Sequence, residues 1–238
     1  MPINISGNTI SGSTISVLST TNIVKRGLVL HLDVGSTNSY SGSGNIWFDL
    51  SGNVYNGTLN NGPTYSSNNN GYLSFNGSNQ NVTLPPSSIP AGSQISFCVW
   101  NYGIQSIASS VIECRDSGGG RTINVHLPWS NNTIYFDCGN DRLQQAVSDV
   151  EYLGWRYWCF TKNVSTGTMV IYRNGSVWAS STGNVGTINT TTAARLCSYA
   201  IDTTYHNGYI GNVQIYNRTL SSVEVLQNYN IQKSRFGL

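Results

Sequence analysis

The stretch Gly208-Tyr209-Ile210-Gly211-Asn212-Val213-Gln214-Ile215-Tyr216-Asn217-Arg218-Thr219-Leu220-Ser221 joins two periodicities. From Tyr209 to Tyr216 the residues follow the period of two that marks a strand. Ser221 then opens a helix: Glu224 stands three residues on, where it closes a capping box, and Val225, Leu226 and Tyr229 are spaced to cover one face of a short helix ending at Asn230. Outward from this stretch the strand pattern recurs and the helical one does not. Alternating runs lie at Leu28 to Leu32, Tyr72 to Phe75, Ile95 to Trp100, Ser110 to Cys114, Thr122 to Leu127, Thr133 to Cys138, Trp155 to Thr161, Thr168 to Tyr172 and Ala194 to Cys197. Turn signals separate them, among them Asn76-Gly77-Ser78, Gly118-Gly119-Gly120, Gly139-Asn140-Asp141 and Asn174-Gly175. So many strands with so little helix predict an all-β, two-sheet antiparallel sandwich.

Composition agrees. A chain of 238 residues with 11% aromatics holds enough apolar area for one sizeable sandwich core. Charged residues are only 9%, the net charge is +2, and the basic residues lie singly except at Lys25-Arg26. That distribution excludes a nucleic-acid footprint, which needs Lys and Arg gathered on one face. No window approaches the eighteen or more apolar residues of a membrane span, so no membrane insertion is expected, and the first thirty residues lack the apolar stretch of a secretory signal. The five cysteines, at 98, 114, 138, 159 and 197, show no zinc spacing and read as free, buried thiols, which favours a reducing compartment.

Residues 1–26 differ from the rest. Ile3, Ile5, Ile10 and Ile15 are spaced through Gly, Ser, Thr and Asn without an aromatic residue, and such a segment cannot bury enough area to fold alone. It reads as an extended polar arm, attached to a body spanning 27–238, that either docks on that body or contacts a partner through those isoleucines.

Several segments together resemble the concanavalin A-like lectin/glucanase superfamily, in particular its laminin G-like branch. They are Gly27-Leu28-Val29-Leu30-His31-Leu32-Asp33, Trp47-Phe48-Asp49-Leu50-Ser51-Gly52-Asn53, Leu73-Ser74-Phe75-Asn76-Gly77, the strand from Trp155 to Phe160 with Ile171 to Gly175, and the closing stretch quoted above. The resemblance implies a jelly roll of two curved sheets and a module of the kind common in virion and tail proteins of bacterial viruses. Relatives often hold calcium through loop oxygens, which makes Asp33, Asp49 and Asn53 the candidate ligands here, although no Asp-x-Asp-x-Asp-Gly loop is present. Glucanases of the superfamily carry three alternating acids on one strand. Here only Asp149-Val150-Glu151 is comparable, with Leu153 where the third acid would fall. No nucleophile elbow, phosphate loop or His-Glu-x-x-His is present, His31 alternates within a strand as a structural residue, and His206 lies in a polar loop; the chain reads as a non-enzyme.

Polar groups concentrate in one place. Seven of the 22 charged residues fall between 113 and 144, a segment that reads as a four-strand meander. With Ile112, Cys114, Ile123, Val125, Leu127, Ile134, Phe136 and Cys138 directed to the core, Glu113, Arg115, Asn124, His126, Tyr135 and Asp137 share the other face. Arg115, Asn124, His126, Tyr135 and Asp137, with Asp141 and Arg142 beyond the following turn, are the candidate ligand-binding residues. Three readings of that face stand: a solvated sheet surface, a protein contact, or a trough for sugar hydroxyls. The expected protein is a virion component of a bacterial virus, assembled in the host cytoplasm. Its partners would be other virion proteins or copies of itself, with cell-surface glycan as a further ligand; the alternatives are a carbohydrate-binding adhesin and, after it, a glycosidase acting through Asp149 and Glu151.

Overall fold

A computed structural model describes residues 22–104, 108–199 and 204–238. In chain order the strands are β1 (Leu28–Asp33), β2 (Ile46–Trp47), β3 (Gly57–Asn60), β4 (Thr64–Ser66), β5 (Tyr72–Asn76), β6 (Asn81–Leu84), β7 (Gln94–Gly103), β8 (Ser110–Arg115), β9 (Arg121–Trp129), β10 (Thr133–Cys138), β11 (Asp141–Ala146), β12 (Gly154–Asn163), β13 (Thr168–Arg173), β14 (Ser176–Ser181), β15 (Ala193–Leu196) and β16 (Asn207–Tyr216). They form two antiparallel sheets. The first runs β14-β13-β12-β7-β16-β5-β4, with β1 also paired to β16; the second runs β11-β10-β9-β8-β15-β6-β3-β2. The all-β jelly-roll sandwich expected from the sequence is the fold observed.

Alternation sorts the side chains of each strand into two layers. On β7, Phe97 and Val99 enter the core between the sheets, where Phe160 of β12 meets Phe136 of β10 with ring centroids 5.4 Å apart. Cys98 and Trp100 face the other way, into a second apolar layer on the outside of the first sheet. Helix α2 (Ser222–Gln232) covers that layer with Val225, and the turn after it adds Phe236, which stacks on Trp100 at 4.1 Å. The helix starts where the sequence places it: Ser221 and Glu224 form the reciprocal capping box.

The same outer layer takes in the chain before β1. Ile23 and Val24 are buried, Val24 N donates to Asn228 Oδ1 (2.8 Å), and Tyr216 OH donates to Val24 O (3.1 Å). Residues 22–26, counted with the arm by composition, are therefore a strap on the body. Ile3, Ile5, Ile10 and Ile15 lie outside the described residues.

The cysteines correct one expectation. Cys98 and Cys159 stand directly opposite each other in the β7–β12 ladder and are joined as a disulfide, while Cys114, Cys138 and Cys197 are free and buried. The cysteines thus give no argument for a reducing compartment. His206 is corrected as well: it is fully buried, with Nδ1 2.6 Å from Ser109 Oγ, and burial lowers its pKa to about 3.

Candidate functional site

Strands β8 to β11 follow one another in the second sheet, and their pairing brings the polar residues of the meander side by side. Asn124 lies opposite both Glu113 and Asp137, His126 opposite Tyr135, and Asp137 opposite Arg142. The predicted inward set is buried in the core without exception, so the outward set shares the exterior face of the second sheet.

That face is not a wetted surface, as half-exposed sheets commonly are. Glu113, Asn124, His126 and Asp137 are all at most 6% exposed. Cations and a ring roof them over. Asp137 Oδ1 accepts from Arg142 Nε (2.5 Å), and Asp137 Oδ2 accepts from Arg142 Nη2 and Arg121 Nη1, both at 2.8 Å. Arg115 pairs with Glu113 at 2.6 Å. Tyr199, which follows β15 past the left-handed Cys197 (φ 63°), receives the guanidiniums of Arg115 and Arg121 over its ring, each 5.3 Å from the centroid, and its hydroxyl accepts from Arg121 Nη2.

A cavity of about 280 Å³ opens among Arg121, His126, Trp129, Asn131, Tyr135, Arg142 and Tyr199. At its floor the His126 ring lies 4.4 Å from Trp129 and 5.7 Å from Tyr199, and burial lowers its pKa to about 4, so it is neutral at physiological pH. Arg142 covers Tyr135 at 4.9 Å, and Asn131 donates to the Tyr135 hydroxyl at 2.8 Å. A second cavity of about 260 Å³ lies across the Arg121–Asp137–Arg142 bridge, bordered also by Asn140 and Asp141. The turn between β10 and β11 sets this geometry: Gly139 and Asn140 both have positive φ (53° and 66°), and a side chain on Gly139 would strike the Thr187 carbonyl oxygen.

Of the candidate residues, His126, Tyr135 and Arg142 line the first cavity. Asp137 holds its arginines, and Asn124 meets His126 Nε2 at 3.3 Å. Arg115 touches the site only through Tyr199. Asp141 ties the two sheets together, since its Oδ2 accepts from the fully buried Lys162 of the other sheet (2.8 Å) and from Gly186 N (2.7 Å). Arg121 and Trp129 fall outside the run Thr122 to Leu127 read from the sequence, and extending its alternation to the observed strand ends would put both inside with Ile123, Val125 and Leu127. Bulges in β9 on either side of that run turn them outward: Cys114 faces Ile123 while Arg115 faces Arg121, and Tyr135 faces His126 while Thr133 faces Trp129. Pro128, beside the second bulge, is the residue that signals it. Tyr199 comes from a distant segment and had no local signal.

The calcium candidates do not fit a metal. Asp33 accepts from Arg235 Nη1 (2.5 Å) and Gly35 N. Asp49 takes four donors from His31 N, Ser51 N, Ser51 Oγ and Tyr55 N, while Asn53 donates its amide to Val29 O. Among the described residues no three His, Cys, Asp or Glu side chains gather into one group. Asp149 and Glu151 lie not on a strand but in a single helical turn, α1 (Asp149–Tyr152), where Glu151 accepts from the N–H of the N-cap Ser148 at 3.1 Å and from Trp178 Nε1 at 3.0 Å and pairs with Arg173 at 2.9 Å. The Trp178 bond leads the causes that lower its pKa to about 2, the opposite of what a general acid needs.

Known proteins share this architecture. The laminin G-type model described as "Concanavalin A-like lectin/glucanases superfamily" matches residues 76–226. No curated protein matches the chain significantly. Among solved structures, the binding domain of botulinum neurotoxin serotype G is similar at a TM-score of 0.67 and 20% identity, over 87% of this chain and 51% of that one. The binding domain of botulinum neurotoxin DC in complex with SialylT is similar at 0.66 and 14%, over 87% and 52%. A sialidase of Trypanosoma rangeli, bound to a difluoro-nononic acid, is similar at 0.63 and 16%, over 88% and 33%. This chain thus spans about half of the binding domains and a third of the sialidase, and at these identities the likeness is one of fold. The family match covers well over half of the chain, from the end of β5 into α2, and the chain belongs to the concanavalin A-like lectin/glucanases superfamily.

Proposed function

We propose that this chain is a non-enzymatic adhesive module that holds a glycan in the cavity on the outer face of its second sheet. One observation carries the reading: half-exposed Trp129 and Tyr135 stand beside the arginines, Asn131 and the neutral His126 in a single pre-formed recess. A sugar ring presents a C–H face to aromatic surface and an edge of hydroxyls to fixed donors and acceptors, and this recess supplies both. Solved structures of the same fold that are named as binding domains support the reading, as does the engagement of Glu151 in structural bonds.

The strap at residues 22–26 packs on the outside of the first sheet, whereas the cavity lies on the outside of the second. Attachment through the N-terminal segment and display of the cavity therefore use opposite faces of the sandwich. The carrier we propose is the virion of a bacterial virus, with other virion proteins or further copies of this chain as the partners of residues 1–21; the sequence resemblance and the polar composition of that segment support it. A glycan array tests the adhesive reading: the wild type is expected to give discrete hits that Trp129→Ala abolishes, and hits retained by Trp129→Ala, or none at all, contradict it.

A further inference from the structure

We infer that the glycan held in this cavity carries an acid group on the sugar beside Arg142, because two guanidiniums, those of Arg121 and Arg142, share the single carboxylate of Asp137. The inference rests on the glycan-binding reading above and specifies the class of its ligand.

The charges around the cavity do not balance. Arg115 is matched by Glu113 at 2.6 Å. Asp141 is matched by Lys162 at 2.8 Å. Asp116 is turned into its own loop, where it accepts from Gly118 N, Gly120 N and Asn189 Nδ2. His126 is neutral above a pH of about 4 and adds nothing. Among the charged side chains that line the two cavities, what remains is two arginines against Asp137, a surplus of one positive charge, and both arginines line both cavities.

The surplus has a direction. Asp137 occupies Nε and Nη2 of Arg142, and Arg142 Nη1 donates to no acceptor among the described residues. The Arg142 side chain is 47% exposed, and its guanidinium lies over the Tyr135 ring at 4.9 Å, which fixes the plane of the fork. An acid group arriving at Nη1 would make a charge-assisted hydrogen bond beside aromatic walls that displace water, where such bonds are stronger than in bulk solvent. A neutral sugar would leave the charge to water. A carboxylate and a sulfate ester both supply this chemistry.

The test begins with an array of matched neutral, carboxylate-bearing and sulfated oligosaccharides, followed by calorimetric titration of the full chain with the best frame in its neutral and acidic forms at low and high salt. The acidic form is expected to bind about tenfold more tightly at low salt, as one charge-assisted bond provides, and to lose most of that advantage at high salt. Which acidic form leads identifies the group. Arg142→Gln and, separately, Arg121→Gln each leave Asp137 with one guanidinium, so each is expected to remove the preference for acid while still unfolding cooperatively. Equal affinity for neutral and acidic forms in the wild type, or a preference unchanged in both variants, overturns this inference and leaves the glycan reading in place. Failure of every oligosaccharide to bind overturns both.

Discussion

At the scale of single residues, the interior is held to the site by Lys162. Its side chain crosses from the first sheet to donate to Cys138 O (2.5 Å) and Asp141 Oδ2 (2.8 Å) at the turn that carries Arg142. Lys162 is fully buried, whereas Asp141 is partly exposed and keeps its bond from Gly186 N, so losing the lysine removes a charge-assisted bond worth about 1.5–3 kcal/mol. Lys162→Ala is therefore expected to lower stability by that order in denaturant unfolding and to weaken ligand binding through the displaced β10–β11 turn; unchanged stability would show that the strut is idle. Gly139→Ala acts on the same turn through the backbone, since positive φ and the Thr187 carbonyl both exclude a side chain. A loss of about 1–3 kcal/mol is expected, measured the same way. His126, Tyr135 and Arg142 were legible in the sequence because plain alternation, or plain adjacency to a turn, places them. Arg121 and Trp129 were not, because alternation is a local rule and a bulge resets its phase.

At the scale of elements, the capped helix after β16 was legible because Ser221 and Glu224 satisfy orphan backbone donors by local bonds alone. The strap was not, because Val24 owes its burial to the layer that holds Trp100 and Tyr216 and to its bonds with Asn228 and Tyr216, which sequence distance hides. The distinction is measurable. Deleting residues 1–21 is expected to leave the melting temperature within a few degrees, whereas deleting 1–26 uncovers the second apolar layer and removes two hydrogen bonds to Val24, at a cost of about 2–4 kcal/mol. Equal stability of the two truncations would contradict the packing described. Trp100→Ala, beneath Phe236, is expected to cost about 3–5 kcal/mol by the same reasoning.

At the scale of the whole molecule, three buried histidines govern the response to acid. His31 and His126 are lowered to about 4 and His206 to about 3, in each case by burial first, while an unfolded histidine titrates near the ordinary 6.5. Below that value the unfolded chain takes up protons that the folded one refuses, so stability is full above a pH of about 6.5 and falls as the pH drops toward 4. Each histidine contributes on the order of 3 kcal/mol to the loss. Glu151 and Glu224, both lowered to about 2 by hydrogen bonds to Trp178 and to Arg218, add a further loss as the pH falls from the ordinary glutamate value toward 2. Urea unfolding from pH 8 to pH 4 is expected to show a steep decline beginning near 6.5; a flat profile to pH 5 would contradict the buried, neutral histidines.

The architecture was legible because the core of a sandwich is written in alternation along every strand, whereas the recess is made where strands depart from it and where Tyr199 arrives from far along the chain. A titration of the labelled protein with array-selected oligosaccharides, followed by NMR, tests the central claim most directly. Perturbations gathered on the Trp129 indole N–H, His126, Tyr135 and the Arg142 side chain are the predicted result. Perturbations confined to the first sheet and its covering helix, or none at saturating sugar, would contradict it.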